Sequence, residues 1–239
     1  LFLFVPDFER CNFYSALFTF APLFLSHSIS NQTFQLLPQK AIFWVEEEIL
    51  IVSDLHLGKS HHFRKGGIAV PSHGDYDNLQ ILANLILTWK PKQIIFLGDL
   101  FHSLANNHMI FVVDFMKQFK RIKMDLVVGN HDIIDVSWYN ALNLKVHPTI
   151  LIIHSFVFSH EPMDLINFST EMINICGHIH PCITLKAKAK QSLTLPCFYF
   201  KRNQVILPAF GKFTGNFKII PQNNDRVFVV TADVVMSVS

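Results

Sequence analysis

Ile49-Leu50-Ile51-Val52-Ser53-Asp54-Leu55-His56 is a short run of branched apolar residues that stops on an acid and an imidazole. An apolar run of this length, with no three-and-four spacing, reads as a buried strand. Four further runs have the same build: Gln93 to Leu97, Asp125 to Val128, Phe156 to Ser159 and Ile173 to Cys176. Between them lie two helix candidates. Asp75 to Trp89 spaces Leu79, Leu82, Leu85, Ile86 and Trp89 by three and four, and Pro91 comes next as a stop. Asn107 to Lys120 does the same with Ile110, Phe111, Phe115 and Phe119, and sets Lys117 and Lys120 where cations suit the helix dipole. Leu193 to Val238, rich in β-branched residues and Phe and broken by Pro208, Gly211 and Gly215, is expected to add strands and hairpins. Strands alternating with helices predict an α/β domain.

The informative regularity lies just past the end of each strand. Ile49 to Ser53 runs into Asp54-Leu55-His56, Gln93 to Leu97 into Gly98-Asp99, and Asp125 to Val128 into Gly129-Asn130-His131-Asp132. Phe156 to Ser159 runs into His160, and Ile173 to Cys176 into Gly177-His178-Ile179-His180. Functional sites of open α/β sheets lie beyond the carboxyl ends of the strands, so these five ends are expected to meet in one crevice. In Asp54-x-His56 and His178-x-His180 the period of two of an extended chain is expected to point both side chains the same way. The glycines at 98, 129 and 177 are expected to let the backbone approach the site closely.

Taken singly, each element has an ordinary reading: a solvated loop for D-x-H, a turn or helix cap for an Asp after a strand, a tight turn for Gly-Asn-His-Asp. Their joint occurrence, each at a strand end, is not explained by an α/β core alone and predicts a dinuclear metal site. The donor set is mixed nitrogen and oxygen with no thiolate, which suits Mn, Fe or Zn, with Mn the first choice. Two divalent ions about 3.5–4 Å apart lower the pKa of a shared water and neutralise a phosphate.

The composition agrees with a single domain. The chain has 239 residues, half of them hydrophobic, enough for a sizeable core. A formal charge of +2 neither supports nor excludes a polyanionic substrate. Cys11, Cys176, Cys182 and Cys197 form no C-x-x-C pair, so neither a zinc ribbon nor a dithiol redox motif is indicated. Apolar runs in the body of the chain fall short of the ~18 residues a membrane span needs. Phe13 to Leu25 has the length of a signal-peptide core, yet Asp7 and Glu9 flank it against a single Arg10 and no small-x-small site comes after it. A cytosolic protein with no membrane partner is expected. Residues 1–30 are set aside as an extension from an over-extended gene start or a truncated record, and residues 31–239 are expected to form one domain.

Together, Asp54-x-His56, Gly98-Asp99, Gly129-Asn130-His131-Asp132, His160 and Gly177-His178-x-His180 resemble the five motifs of the calcineurin-like metallophosphoesterases. The resemblance implies a four-layer α/β fold, with two packed mixed β-sheets flanked by helices. It implies that Asp99 bridges two metals, that Asp54, His56 and His180 complete one site, and that Asn130, His160 and His178 complete the other. His131 would then contact the phosphate and protonate the leaving oxygen.

A narrower resemblance covers Leu55 to Lys59, Phe63-Arg64, Gly67-Ile68, Gly98 to Ser103, Ile175 to Pro181, Leu195 to Phe198 and Leu207 to Gly215. These stretches are similar to the ligase-associated DNA damage response endonucleases. That branch implies phosphodiester cleavage in single-stranded DNA, linked to DNA repair, and working association with an ATP-dependent DNA ligase and a helicase. The alternatives are a phosphatase or pyrophosphatase of small molecules on the same metals, and a non-catalytic interaction module. The second is disfavoured because Asp99, Asn130 and His131 are all present.

Candidate substrate contacts are Lys59, Arg64, His102 and the stripe Lys186, Lys188, Lys190. On a strand the stripe forms one basic edge or face. It would either bind phosphates or guard an edge against aggregation.

Overall fold

A computed structural model describes residues 23–59, 74–102, 106–133, 136–186, 191–212 and 214–238. Arg64, Lys188 and Lys190 lie outside these residues, as does the segment 1–22. Strands β1 (Leu25–Ile29), β2 (Gln32–Leu37), β3 (Ala41–Trp44) and β4 (Ile49–Val52) are antiparallel neighbours. Helix α1 (Gly74–Trp89) then leads to β5 (Gln93–Leu97), α2 (Asn106–Gln118) to β6 (Lys123–Val127) and α3 (Val136–Ala141) to β7 (Lys145–His147), each strand parallel to the one before. Among the described residues these make a seven-stranded sheet in chain order.

The remaining strands are β8 (Ile150–Ile153), β9 (Phe156–Ser159), β10 (Ile173–Cys176), β11 (Pro181–Lys186), β12 (Ser192–Lys201), β13 (Gln204–Ile206), β14 (Phe217–Lys218), β15 (Arg226–Val230) and β16 (Val235–Ser237). They build a nine-stranded sheet in which β9, β10 and β13 are parallel and β12 bonds antiparallel to β11, β13 and β15. Both sheets are mixed, and they pack face to face. Phe34, Trp44, Ile51, Ile95 and Val127 of the first meet Phe156, Phe158, Ile175, Phe198, Val205 and Phe228 of the second.

The helices cover the outer face of the first sheet. Leu79, Leu82, Leu85 and Ile86 of α1 are buried there as their spacing predicts. In α2 the buried positions are Val112, Val113 and Met116, while Ile110 and Phe111 stay exposed. Phe115 and Phe119 of the expected stripe pack partly buried against the same core, so only its first two members are turned to solvent. The outer face of the second sheet carries a smaller cluster of Cys176, Cys197, Tyr199, Ile206, Ile219, Val227 and Val229.

Strand β1 lies ahead of Asn31, where the sequence places the start of the domain, and Leu25 and Ile29 pack on the core between the sheets. Among the described residues no helix is long and apolar enough to cross a membrane.

Candidate metal centre

The carboxyl ends of β4, β5, β6, β9 and β10 converge at one end of the sandwich and bring the expected donors together. Donor atoms of Asp54, His56 and His180 lie within 4.8 Å of one another, as do those of Asp54, Asp99 and His160. Asp99 faces both ways, with Oδ2 3.7 Å from His56 Nε2 and Oδ1 3.5 Å from His160 Nε2. Asn130 Oδ1 and His178 Nδ1 each stand 3.0 Å from His160 Nε2.

The paired motifs reach this arrangement differently from the extended geometry their spacing suggests. Asp54, His56, Asp99, His178 and His180 all have positive φ, between 48° and 66°. For residues with a Cβ this left-handed conformation costs about 1–2 kcal/mol each, and such strain gathers at functional sites. The members of His178-x-His180 also diverge. His180 Nε2 lies 3.1 Å from Asp54 Oδ1, whereas His178 turns to His160.

Main-chain groups and one hydroxyl aim the donors. Asp54 Oδ2 accepts from the Ser53 hydroxyl and from the His178 N–H at 3.0 Å, leaving Oδ1 directed inward. The Leu97 carbonyl accepts from His160 Nδ1 at 2.9 Å and lies 3.2 Å from Ser53 Oγ. The Gly215 carbonyl accepts from His180 Nδ1 at 3.0 Å. With Nδ1 protonated in both rings, Nε2 is the bare, ligating nitrogen.

Close approach at the glycines makes this possible. A Cβ at Gly177 would lie 1.6 Å from Ser53 Oγ, and one at Gly98, where φ is +71°, 2.3 Å from His160 Nδ1. At Gly129 it would lie 2.4 Å from Asp99 Oδ1.

These residues fit a pair of cations. Among the described residues, Asp54 Oδ1, both His56 ring nitrogens and His180 Nε2 are buried with no hydrogen-bond partner. Asp54 Oδ1 and His180 Nε2 face each other at 3.1 Å, so both stand around the same point. Around His160 a bare Nε2 faces the oxygens of Asn130 and Asp99, three acceptors that need positive charge among them. Burial, helped by the Lys59 charge, pushes the His56 imidazole down to about 3, which keeps it in the neutral ligating form. Burial alone would raise the Asp54 carboxyl, but His180, His160 and the Ser53 hydroxyl outweigh it and hold it below its ordinary value.

The calcineurin-like phosphoesterase family model matches residues 48–188, more than half of the chain and the whole of this constellation. The chain belongs to that family. It is a metal-dependent phosphoesterase, a hydrolase of a family that binds divalent metals. Among solved structures it is similar to a nuclease of Pseudomonas putida, MPE, at 28% identity and a TM-score of 0.74, covering 90% of this chain and 100% of that one. The E. coli phosphoesterase Yfce is more distant, at 12% identity and a TM-score of 0.39 over 80% of this chain and 96% of that one. No curated protein matches.

In this phosphoesterase His131 is exposed beside the donors. Its backbone N–H donates to Asp99 Oδ1 at 2.9 Å, and its ring lies 5.5 Å from that of His56 and 4.8 Å from that of His102. His102 is thus placed next to His131 and against His56, 5.6 Å away. Lys59 is half-buried. Burial lowers its pKa while Asp99 and Asp54 pull it up, so its ammonium lies in the field of both carboxylates. Lys186 is exposed at the far end of β11. At ~3.3 Å per residue it stands roughly 20 Å along the strand from His180.

Three contributors carry no mark in the sequence as supporting residues. Ser53 is an ordinary strand-end residue until its hydroxyl meets Asp54. Asp132, although inside a quoted motif, is a clamp: its carboxylate accepts from the N–H of Phe101 and of Gly129, both at 2.9 Å, and so ties the Asp99 loop to the Asn130 loop. Burial raises this carboxyl to about 6 against the pull of those two donors. The third is Gly211, whose N–H donates to the Asp54 carbonyl at 3.0 Å, and where a Cβ would lie 2.5 Å from the Leu55 carbonyl oxygen.

Proposed function

We propose that this phosphoesterase is a dinuclear phosphodiesterase that cuts single-stranded DNA internally. Asp54, His56, Asp99 and His180 would hold one divalent cation, and Asp99, Asn130, His160 and His178 the other, with Mn preferred over Fe or Zn. The observation that carries the dinuclear reading is Asp99, one oxygen facing each donor set. The nucleic-acid reading is supported by likeness to the Pseudomonas putida nuclease over 90% of this chain. It is supported also by the sequence resemblance to the repair endonucleases, which adds a DNA ligase and a helicase as working partners in the cytosol.

Two divalent cations would supply charge neutralisation at the phosphate and an activated water. The chain's own residues do the rest. His131, exposed and anchored through its backbone to Asp99, is placed to touch a phosphoryl oxygen and to hand a proton to the departing alkoxide. Lys59 adds positive charge near both carboxylates, and burial keeps His56 neutral as a donor.

The test is a panel on metal-stripped protein reloaded with Mn, Zn or Fe. Substrates are bis(p-nitrophenyl) phosphate, p-nitrophenyl phosphate, a nucleotide sugar and circular single-stranded DNA. Two bound metal equivalents, diester hydrolysis above monoester hydrolysis, and linearisation of the circle are expected. Activity confined to the monoester or the nucleotide sugar would replace this reading with the small-molecule one.

A further inference from the structure

Two aromatic rings stand open to solvent in the first two turns of α1 and α2. Tyr76 of α1 and Phe111 of α2 stack with centroids 6.2 Å apart and planes inclined by 29°, and each keeps 44% of its surface exposed. Ile110 beside Phe111 is also exposed. Aromatic side chains dominate the burial gain of a fold, so an exposed stack shared by two helices leaves stabilisation unused. The buried face of α2 is formed by Val112, Val113 and Met116, with Phe115 partly buried beside them.

The placement is specific. Helices α1 and α2 come after the loops that bear Asp54-x-His56 and Asp99, so each begins at the carboxyl end of the preceding strand. The first turns of α1 are bolted to the donor loop. Asn78 Nδ2 donates to the carbonyl of Leu55, between Asp54 and His56, at 3.3 Å, and Asn78 Oδ1 accepts the backbone N–H of Lys212 at 3.2 Å. Lys212 Nζ reaches Asp77 at 2.9 Å. Tyr76 is two residues, about 3 Å of helix, from that bolt. Cationic side chains share this side. Lys40 bonds the Ala209 carbonyl at 3.0 Å, and after burial the charge of Lys212 is the next influence lowering its pKa. Lys59 lies within the field of Asp99 and Asp54.

We infer that the Tyr76–Phe111 pair is a stacking shelf for an unpaired nucleobase of the strand whose phosphate lies at the metal centre. The inference rests on the nucleic-acid reading above and adds to it the residues that select single strands. A base in a duplex is covered on both faces by its neighbours, whereas an unpaired base offers a free π-face to an exposed ring. Stacking of this kind tolerates any base, and cations nearby track the backbone phosphates. The shelf therefore discriminates strandedness without reading sequence.

The test compares wild type with a Tyr76→Ala/Phe111→Ala double variant and a Tyr76→Phe/Phe111→Trp pair. Each is assayed on a single-stranded oligonucleotide, on an abasic strand of equal length and on methyl p-nitrophenyl phosphate, with metal content and melting temperature recorded. Base stacking is worth about 1–3 kcal/mol, so the alanine variant should raise the KM for the oligonucleotide about 5- to 150-fold. The aromatic pair should restore it, the baseless ester should be hydrolysed as before, and wild type on the abasic strand should match the alanine variant. An unchanged oligonucleotide KM overturns the shelf. So does a parallel loss of small-ester rate and bound metal, which would make the rings a support of the fold. Wild type inert on every nucleic acid removes the underlying reading and the shelf with it, and that result is read on the unmutated protein alone.

Discussion

The two donor sets of the candidate metal centre use the same kinds of residue and hold them in opposite ways. Around Asp54, His56 and His180 the inward atoms are buried and, among the described residues, without a hydrogen bond, although His180 Nε2 stands 3.1 Å from Asp54 Oδ1. Around His160 the bare Nε2 already has a partner in His178 Nδ1 at 3.0 Å, while Asn130 Oδ1 faces it at 3.0 Å and Asn130 is exposed. A cation entering the first half relieves buried polar groups that cost about 1–3 kcal/mol apiece when unpaired. A cation entering the second must displace His178 Nδ1 from His160 Nε2. The first half is therefore expected to load tightly, and the second to exchange more readily.

Replacing Asp99 by Ala attacks both halves at once and carries the largest expected effect. Bound metal should fall in both, and turnover should drop on the order of a thousand-fold or more, since several kcal/mol of charge stabilisation is lost. Elemental analysis beside a diester assay checks this, and full Mn-dependent activity in that variant would sink the dinuclear assignment.

His131 belongs to neither half. Its change to Ala should leave the metal content intact and slow DNA cleavage about 10²- to 10⁴-fold, with a smaller loss on a nitrophenyl ester, whose leaving group needs little protonation. Equal losses on the two substrates would make it a phosphate-positioning residue and not the acid.

Ser53→Ala sharpens the contrast directly. It removes one hydroxyl from Asp54 Oδ2 and should weaken cation affinity in the first half by about 10–100-fold, leaving the second midpoint of a metal titration unmoved. Equal weakening of both midpoints would break the distinction between the halves.

The smallest chemical effect is expected far from both. Deleting residues 1–30 removes β1, whose Leu25 and Ile29 each bury part of a side chain on the central core. About 2 kcal/mol of stability is at stake, or a fall of roughly 4–8 °C in Tm, with kcat on the diester unchanged.

Much of this architecture is readable in the residues because local pattern and tertiary role agree. The five apolar runs become parallel or central strands, and the leucines of α1 face the sheet their spacing demands. Where several answers satisfy the same pattern, the sequence is silent. In α2 the expected stripe is half kept, with Phe115 and Phe119 packed on the core, while Val112, Val113 and Met116 take the place of Ile110 and Phe111. Strand β1 hides behind a Phe-rich segment of a different character. At the candidate centre the residues that come together are readable in the sequence, but the positive φ values that aim them are not, because Asp and His carry no marker for left-handed backbone as Gly does. The carbonyls of Leu97 and Gly215 are equally invisible, since every residue has one.

The Leu97 carbonyl has a consequence in genetic terms. It accepts from His160 Nδ1 and lies 3.2 Å from Ser53 Oγ, whose hydroxyl reaches Asp54, and so fixes a ring tautomer in one half and borders the group that steadies a carboxylate in the other. No codon change deletes a main-chain oxygen. The protonation pattern of the centre is thereby shielded from point mutation at position 97, where drift alters packing only. The vulnerable codon is the next one: any side chain at Gly98 would strike His160 and bend the peptide that carries the oxygen.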